Sequence, residues 1–323
     1  MTQEELQKMI EERIQTLPFD REPASLYEPI KYVLSLGGKR IRPMLMLLSY
    51  SIFKDDPESI LMQAAALETF HNFTLLHDDL LDRADMRHGQ PTVHKKWDEN
   101  TAILSGDSML IYAFKMMMQS NSKNIGEVMK LMADTGLEID EGQQFDTQFE
   151  TRDDVSEEEY LSMIRLKTSV LLACATKTGA LLAEASKEDC DTLYRFGETL
   201  GLAFQLQDDL LDVYGDPKVF GKQTGGDIMC NKKTYMLINA LNRADSKQKA
   251  ELQKWIDAEN PDRNEKVAAV TALYDSIGIR TLCETKIEEY YNEALLCIEK
   301  INAPQERKEP LKAFAIKMMK RRK

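Results

Sequence analysis

Glycine and proline are scarce in this chain, at 15 and 10 of 323 residues. Folds made of many short strands need both at their turns. Their scarcity, with apolar residues recurring three and four apart, points to an all-α chain. No apolar run is long enough to cross a bilayer, which argues against an integral membrane protein. The stretch from Met1 to Arg13 is acidic and amphipathic and does not read as a signal peptide. The five cysteines, Cys174, Cys190, Cys230, Cys283 and Cys297, form no Cys-x-x-Cys pair and show no metal-ligand spacing. Reduced thiols in a cytoplasmic protein are the expectation. Basic charge is in deficit, with 42 Lys and Arg against 54 Asp and Glu and a formal net charge of −12. Nucleic acid demands a basic face and is a poor partner for such a chain. A phosphorylated small molecule stays compatible, because bound cations reverse the local sign. There is no Gly-x-x-x-x-Gly-Lys-Ser/Thr loop and no strand to carry one, so an ordinary nucleotide-hydrolysing site is excluded. No Ser-His-Asp or Cys-His pair presents itself, and no suitably placed Glu-x-x-His pairs suggest a ferritin-like metal bundle.

What is present is helical pattern of high regularity. The spacing predicts helices over about Thr2–Gln15, Ala24–Leu34, Lys39–Phe53, Ser59–Asp82, Asn100–Gln119, Ile125–Phe149, Ser156–Arg165, Thr168–Glu184 and Lys187–Val213. Another starts at Asn231-Lys232-Lys233-Thr234, and four more fill Ala240 to Lys323. Arg83 to Trp97 reads as an irregular loop dense in polar groups, the kind that tends to be functional. A second loop, Gly221 to Asp227, is Gly-rich and basic. No low-complexity linker or short repeat divides the chain, so residues 1–323 read as one domain.

One pentapeptide occurs twice. Asp78-Asp79-Leu80-Leu81-Asp82 and Asp208-Asp209-Leu210-Leu211-Asp212 are identical, and each closes a long apolar helical run. On a helix, residues four apart share a face, so Asp78 and Asp82 point the same way with Asp79 beside them. Three carboxylates this close repel one another unless a cation or basic group stabilises them. Clustered carboxylate oxygens suit a hard divalent ion such as Mg2+, which commonly bridges carboxylate to phosphate. A single copy reads equally as a solvated acidic helix end.

Basic residues flank both copies. Lys39 and Arg42 stand at a helix start behind Gly37-Gly38, Arg87 and His88 follow the first copy, and Lys222 and Lys232 follow the second. Lys167-Thr168 lies between the copies. Acid clusters alternating with basic residues fit a substrate with diphosphate groups, since Lys and Arg contact the oxygens that a metal does not. His71, two turns before Asp78 on the same helical face, can line the same cavity.

In order along the chain, Gly37-Gly38-Lys39-Arg40-Ile41-Arg42-Pro43, His77-Asp78-Asp79-Leu80-Leu81-Asp82, Arg87-His88-Gly89-Gln90-Pro91-Thr92, Gly106-Asp107, Lys167-Thr168, Gln205 to Asp212 and Gly221-Lys222 to Thr234 resemble the signature of the trans-isoprenyl diphosphate synthases. The resemblance spans about residues 35 to 240. It implies the all-α isoprenoid synthase fold, a helical bundle around a central cavity, and a homodimer. It also implies a prenyltransferase reaction in which an allylic diphosphate ionises, isopentenyl diphosphate attacks the cation, and a proton leaves. About three Mg2+ ions then stabilise the departing diphosphate. By the same resemblance, Asp78, Asp82 and Asp208 are the direct metal ligands, supported by Asp79, Asp209 and Asp212. Arg87, Lys167 and Lys222 hold the allylic diphosphate with Lys232 nearby. Thr168 and Gln205 face the nascent cation. Gly38, Lys39, Arg42 and His71 bind isopentenyl diphosphate. The basic run Lys317 to Lys323 is either a solvated tail or a segment that closes over the site.

One position departs from the family pattern. His88 stands where an arginine is usual, and histidine cannot offer the bidentate fork. Weakened or pH-dependent isopentenyl diphosphate binding follows, unless Lys39 and Arg42 suffice. Product length is expected to depend on the face upstream of the first motif, where Phe73 stands five residues before Asp78, Thr74 four before, and Phe70 one turn further up. An aromatic residue only at the fifth position, with no insertion in the motif, resembles geranylgeranyl diphosphate synthases. Farnesyl or longer-chain synthases are the alternatives. A non-catalytic partner subunit is disfavoured by two intact motifs. A terpene cyclase is disfavoured by the second Asp-Asp-x-x-Asp and the Gly-Gly-Lys-x-x-Arg element.

Overall fold

Thr2 opens the first helix by a reciprocal cap. Its hydroxyl accepts the Glu5 N–H and the Glu5 carboxylate accepts the Thr2 N–H, which satisfies two donors that the helix cannot. Ser156 with Glu159 and Asp245 with Gln248 repeat the device further on. In a computed structural model of the chain, residues 1–215 and 224–320 are described. The first helices are Gln3–Gln15 (α1), Ala24–Ser35 (α2), Ile41–Ser51 (α3), Leu61–Leu81 (α4), Val93–Lys96 (α5), Glu99–Met117 (α6) and Ile125–Phe149 (α7). Glu157–Ile164 (α8), Val170–Leu182 (α9), Lys187–Tyr214 (α10), Gly226–Met229 (α11) and Tyr235–Arg243 (α12) come next. Ser246–Ile256 (α13), Arg263–Ile277 (α14), Ile279–Lys300 (α15) and Gln305–Met319 (α16) complete them. The all-α expectation holds.

These helices belong to two compact units. The first comprises Met1–Met132, Ala175–Asp191 and Asn302–Leu311; the second comprises Ala133–Cys174, Thr192–Ile301 and Lys312–Lys323. In the first unit α4 is the central element. Its residues from Ala64 to Phe70 are all buried, and a helix buried on every side belongs to a core. α1, α2, α3 and α6 pack against it. In the second unit α12 fills that place. Tyr235, Met236, Leu237, Ile238 and Ala240 are buried, and α8, α14 and α15 surround them. The later part of α10 adds Phe196, Leu200, Ala203, Leu206 and Leu210, a stripe at helical spacing.

Four stretches differ from the sequence expectation. The polar segment after Asp82 is not wholly irregular. Met86–Arg87 pairs antiparallel with Gln90–Pro91. The turn residues His88 and Gly89 both have positive φ, 50° and 75°, the condition for a tight turn whose twist matches its strands. The expected break between Arg165 and Thr168 is no break. A five-residue π-turn, Arg165–Ser169, joins α8 to α9 with no Gly or Pro to interrupt the chain. The Gly-rich loop contributes the one-turn helix α11. The basic carboxyl-terminal run is not all solvated, since Met318 and Met319 are buried at the end of α16. Residues 321–323 of that run lie outside the described residues, as do Gly221 and Lys222. All five cysteines are free thiols, four of them buried. Among the described residues, no helix is long and apolar enough to cross a membrane.

Candidate active site

The first pentapeptide ends α4 in the first unit. Asp82 is the C-cap and is exposed, Asp78 is half-buried, and Asp79 is buried. Asp79 takes a bidentate fork from Arg87, with Nε and Nη2 at 2.7 and 2.8 Å from its two oxygens. The hairpin aims Arg87 there. The Ala84 N–H donates to the Asp79 carbonyl at 2.9 Å, the Thr92 hydroxyl donates to the Ala84 carbonyl at 2.7 Å, and the Tyr32 hydroxyl donates to Pro91 at 2.7 Å. The loop is thus fastened to the helix whose carboxylate it neutralises.

The Gly37-Gly38-Lys39-Arg40 turn owes its form to a residue the sequence reading passed over. Arg40 adopts the left-handed conformation, at φ 47°, and its buried guanidinium donates to Glu11, Glu68 and the Leu34 carbonyl. Arg40 therefore points inward and Lys39 is left exposed. Arg42, two residues on, approaches His71, with Nη1 2.9 Å from Nε2. Burial first, then Arg42, Arg87 and Arg40, push the His71 pKa well below its usual value. His71 is neutral there, and Nε2 accepts from the arginine. The His88 ring comes within 3.9 Å of where a Cβ on Gly38 would lie. The structure thus brings Gly38, Arg42, His71 and His88 into one neighbourhood of the first unit, with Lys39 beside it.

The second pentapeptide lies on α10 in the second unit, and its middle aspartate is again buried. Asp209 has neutral partners. The Tyr160 hydroxyl donates to one oxygen, and Gln205 Nε2 donates to the other at 2.9 Å. Burial raises the Asp209 pKa, opposed by the Tyr160 hydrogen bond and by Lys232. Asp212 accepts the Asp227 N–H at 2.9 Å, so it caps the start of α11. Burial, with Asp209 next, pushes the Asp227 pKa up to about 7.

Lys167 and Thr168 sit on the π-turn, and two glycines set what they meet. A Cβ on Gly142 of α7 would fall 2.4 Å from the Lys167 backbone nitrogen; one on Gly201 of α10 would fall 2.6 Å from the Ser169 Cα. Both helices approach the turn at backbone distance because those side chains are missing. One helical turn beyond each glycine is a polar residue that captures its neighbour on the π-turn. Asp146 accepts from Lys167 Nζ at 2.6 Å, and Gln205 Oε1 accepts from the Thr168 hydroxyl at 2.9 Å. Lys232 Nζ stands 3.8 Å from the same Asp146 oxygen. Lys167, Thr168, Gln205, Asp209 and Lys232 are therefore connected.

Upstream of the first motif, Phe70 is buried and Phe73 and Thr74 are half-buried. Phe73 meets Phe70 and His77 edge-on, each with ring centroids 5.3 Å apart, and Phe70 also meets Phe114 of α6 at 6.4 Å. Sequence reading missed Arg40, Asp146, Tyr160 and Asp227. Asp146 carried a faint signal, its spacing of four from Gly142. Tyr160 carried none, because its partner Asp209 is 49 residues away.

A family model for polyprenyl synthetases matches residues 23–274. The chain belongs to the polyprenyl synthetase family. It is 41% identical over 253 residues to a short chain isoprenyl diphosphate synthase of Methanocaldococcus jannaschii, covering 78% of this chain and 77% of that one. It is 43% identical over 229 residues to a geranylgeranyl diphosphate synthase of Methanosarcina mazei, covering 70% of each. A crystal structure of a geranylgeranyl pyrophosphate synthase superposes with a TM-score of 0.95 at 42% identity over 100% of both chains. The chain is a prenyltransferase with the all-α fold of the isoprenyl diphosphate synthases.

The carboxylates fit magnesium better than a metal held by protein alone. Among the described residues, no group of three or more His, Cys, Asp or Glu is placed to hold a metal ion by itself. Asp79 and Asp209 are committed to protein donors, and Asp212 to a backbone cap. By the family pattern, the ligands come from the outer carboxylates, Asp78 and Asp82 in the first motif and Asp208 in the second. Mg2+ is commonly bound in that way, through one or two carboxylates with water and substrate phosphate completing the octahedron.

Proposed function

We propose that the chain condenses isopentenyl diphosphate with an allylic diphosphate (dimethylallyl, geranyl or farnesyl) and that its product is geranylgeranyl diphosphate. The observation that carries this reading is the division of labour inside each pentapeptide. The middle aspartate is locked to protein partners in both copies, and the family pattern assigns Mg2+ to the outer positions Asp78, Asp82 and Asp208. Magnesium, when bound, stabilises the charge that develops on the departing diphosphate.

The residues of the chain do the rest. Asp79, Asp209 and Asp212 brace the ligands. Arg87, Lys167 and Lys222 hold the allylic diphosphate, with Lys232 beside them. The allylic C–O bond breaks with its electron pair going to diphosphate. Thr168 and Gln205 present oxygens toward the cation so formed. Gly38, Lys39, Arg42, His71 and His88 hold isopentenyl diphosphate, whose double bond attacks that cation. The neutrality of His71 leaves Arg42 as the stronger charge at that end. A proton then leaves to the released diphosphate, so no protein base is required. Phe73, braced by Phe70, closes the space the growing chain occupies, and Thr74 is too small to do so.

On α6 and at its C-cap, Leu104, Ile111 and Met118 are 59%, 68% and 57% exposed. They recur every seven residues and so share one face. An exposed apolar face of this kind supports a homodimer. Free thiols support a cytoplasmic setting.

Incubation of purified protein with Mg2+, isopentenyl diphosphate and each allylic primer, followed by identification of the dephosphorylated alcohols, tests the reading. Geranylgeraniol is the expected end product, and no product from any primer overturns the enzyme assignment. Phe73→Ala is expected to lengthen the product, and an unchanged profile removes Phe73 as the floor.

A further inference from the structure

Asp146 has no part in the assignments above, yet two of the proposed substrate lysines converge on one of its atoms. Lys167 Nζ donates to Oδ2 at 2.6 Å, and Lys232 Nζ stands 3.8 Å from the same oxygen. We propose that Asp146 is a positioning residue for the allylic diphosphate: it holds the two ammonium groups where the diphosphate is received, and acts on the substrate only through them. The proposal rests on the assignment of Lys167 and Lys232 to that diphosphate.

A lysine ends a flexible four-carbon stem, and fixing it in one rotamer has a substantial entropic cost. Two such cations side by side also repel each other. One carboxylate between them removes both difficulties before substrate arrives. The Asp146 side chain is 17% exposed, so its attraction is weakly screened. Burial alone would raise its pKa, but Lys232 and Lys167 hold it below the usual carboxylate value, and it is therefore an anion. Each ammonium carries three N–H donors. Lys167 can keep its bond to Asp146 and still donate to a phosphate oxygen, so Asp146 remains in place as substrate binds.

A simple structural tie explains the contact less well. α7 already meets the π-turn at backbone distance through Gly142, so an ion pair one turn along adds little to that docking. The arrangement also has a counterpart. Gly201 approaches the backbone of Ser169 and Gln205 accepts from Thr168, just as Gly142 approaches the backbone of Lys167 and Asp146 accepts from its ammonium. In both cases a glycine sets the approach and the residue four later orients a neighbouring π-turn side chain.

Steady-state kinetics, with geranyl diphosphate and isopentenyl diphosphate varied in turn, test the proposal in Asp146→Asn, Asp146→Glu, Lys167→Gln and the Asp146→Asn/Lys167→Gln double variant. Asp146→Asn is expected to raise the KM for geranyl diphosphate about tenfold, on the scale of a charge-assisted hydrogen bond, with the KM for isopentenyl diphosphate unchanged. Asp146→Glu keeps the charge and raises the geranyl diphosphate KM by only about twofold. In the Lys167→Gln background, Asp146→Asn adds less than about twofold, because the closer of the two ammonium groups it acts through is gone and Lys232 stands farther off. Equal changes in both KM values, or full additivity in the double variant, overturn the proposal. If Lys167→Gln raises the geranyl diphosphate KM and Asp146→Asn does not, the inference fails while the lysine assignment stands. If Lys167→Gln leaves that KM unchanged, the assignment fails and the inference with it. Should Asp146→Asn not fold, Asp146→Glu carries the test, and a change in both KM values there overturns it.

Discussion

The two Asp-Asp-Leu-Leu-Asp segments are identical in sequence and differ in how their middle residue is held. Asp79 is neutralised by a cation, Arg87, delivered by a hairpin that begins four residues after the motif. Asp209 is satisfied by a phenol and an amide, Tyr160 and Gln205, and among the described residues Lys232 is the cation that lowers its pKa. The first cluster sits in an ion-paired setting and the second in a more electron-rich one, with Asp146 and Asp227 nearby. Identical motifs therefore need not be interchangeable. The middle carboxylate of the first copy is balanced by a cation of the chain, whereas that of the second is held by neutral donors.

The largest expected effect tests what the copies share. Asp78→Asn and Asp208→Asn are each expected to lower kcat by about a thousandfold, the scale of losing a dominant electrostatic stabiliser. Equal losses would show that the copies carry equal weight in catalysis despite their different surroundings.

The next effect separates them. Arg87→Gln leaves a buried carboxylate without its ion partner and is expected to destabilise the fold by about 3 kcal/mol. Tyr160→Phe removes one neutral donor while Gln205 stays, with an expected loss of about 1 kcal/mol. Urea unfolding of both variants decides it, and equal losses would erase the proposed difference.

Acidity gives a third comparison. Asp227 is held at about 7, above an ordinary value of 3.8. Between those two pH values the unfolded chain releases the proton and the folded chain retains it, so folding stability falls as pH rises through that window. Asp227→Asn removes this linkage. In EDTA the variant is expected to match wild type near pH 4 and to exceed it near pH 8 by on the order of 3 kcal/mol. Added Mg2+ should narrow the gap by stabilising the ionised cluster in wild type.

The smallest effect concerns His88, beside Gly38 in the first unit. His88→Arg is expected to lower the KM for isopentenyl diphosphate about threefold by supplying a permanent charge and a forked donor. An unchanged KM would mean that Lys39 and Arg42 already suffice.

The helices were legible because their signals are local: caps, apolar periodicity and sparse breakers. Ile125–Phe149 is recovered to the residue. The aspartates and lysines were legible as motifs, since their spacing along one helix or loop is itself the information. Their braces were not. Tyr160 reaches Asp209 across 49 positions, and Asp146 reaches Lys167 across 21. Nothing local to either residue announces such a partner. Arg40 was hidden for another reason. It looks like a second surface cation in Lys39-Arg40-Ile41-Arg42, and only its left-handed backbone turns it inward onto Glu11 and Glu68. The π-turn left no mark either, because one surplus residue in a helix changes no composition.

That surplus residue has a consequence for how the chain can change. Successive residues of an α-helix diverge by about 100°, and the π-turn at Arg165–Ser169 holds one residue more than an α-helical turn, so it resets the faces of α8 relative to those of α9. Deleting one residue there would heal the hydrogen-bond ladder and yield a more regular helix. The same deletion would rotate α8, and Tyr160 with it, relative to everything after Ser169. Length in this segment is therefore as constrained as its side chains: losing a position would break the approach of Tyr160 to Asp209.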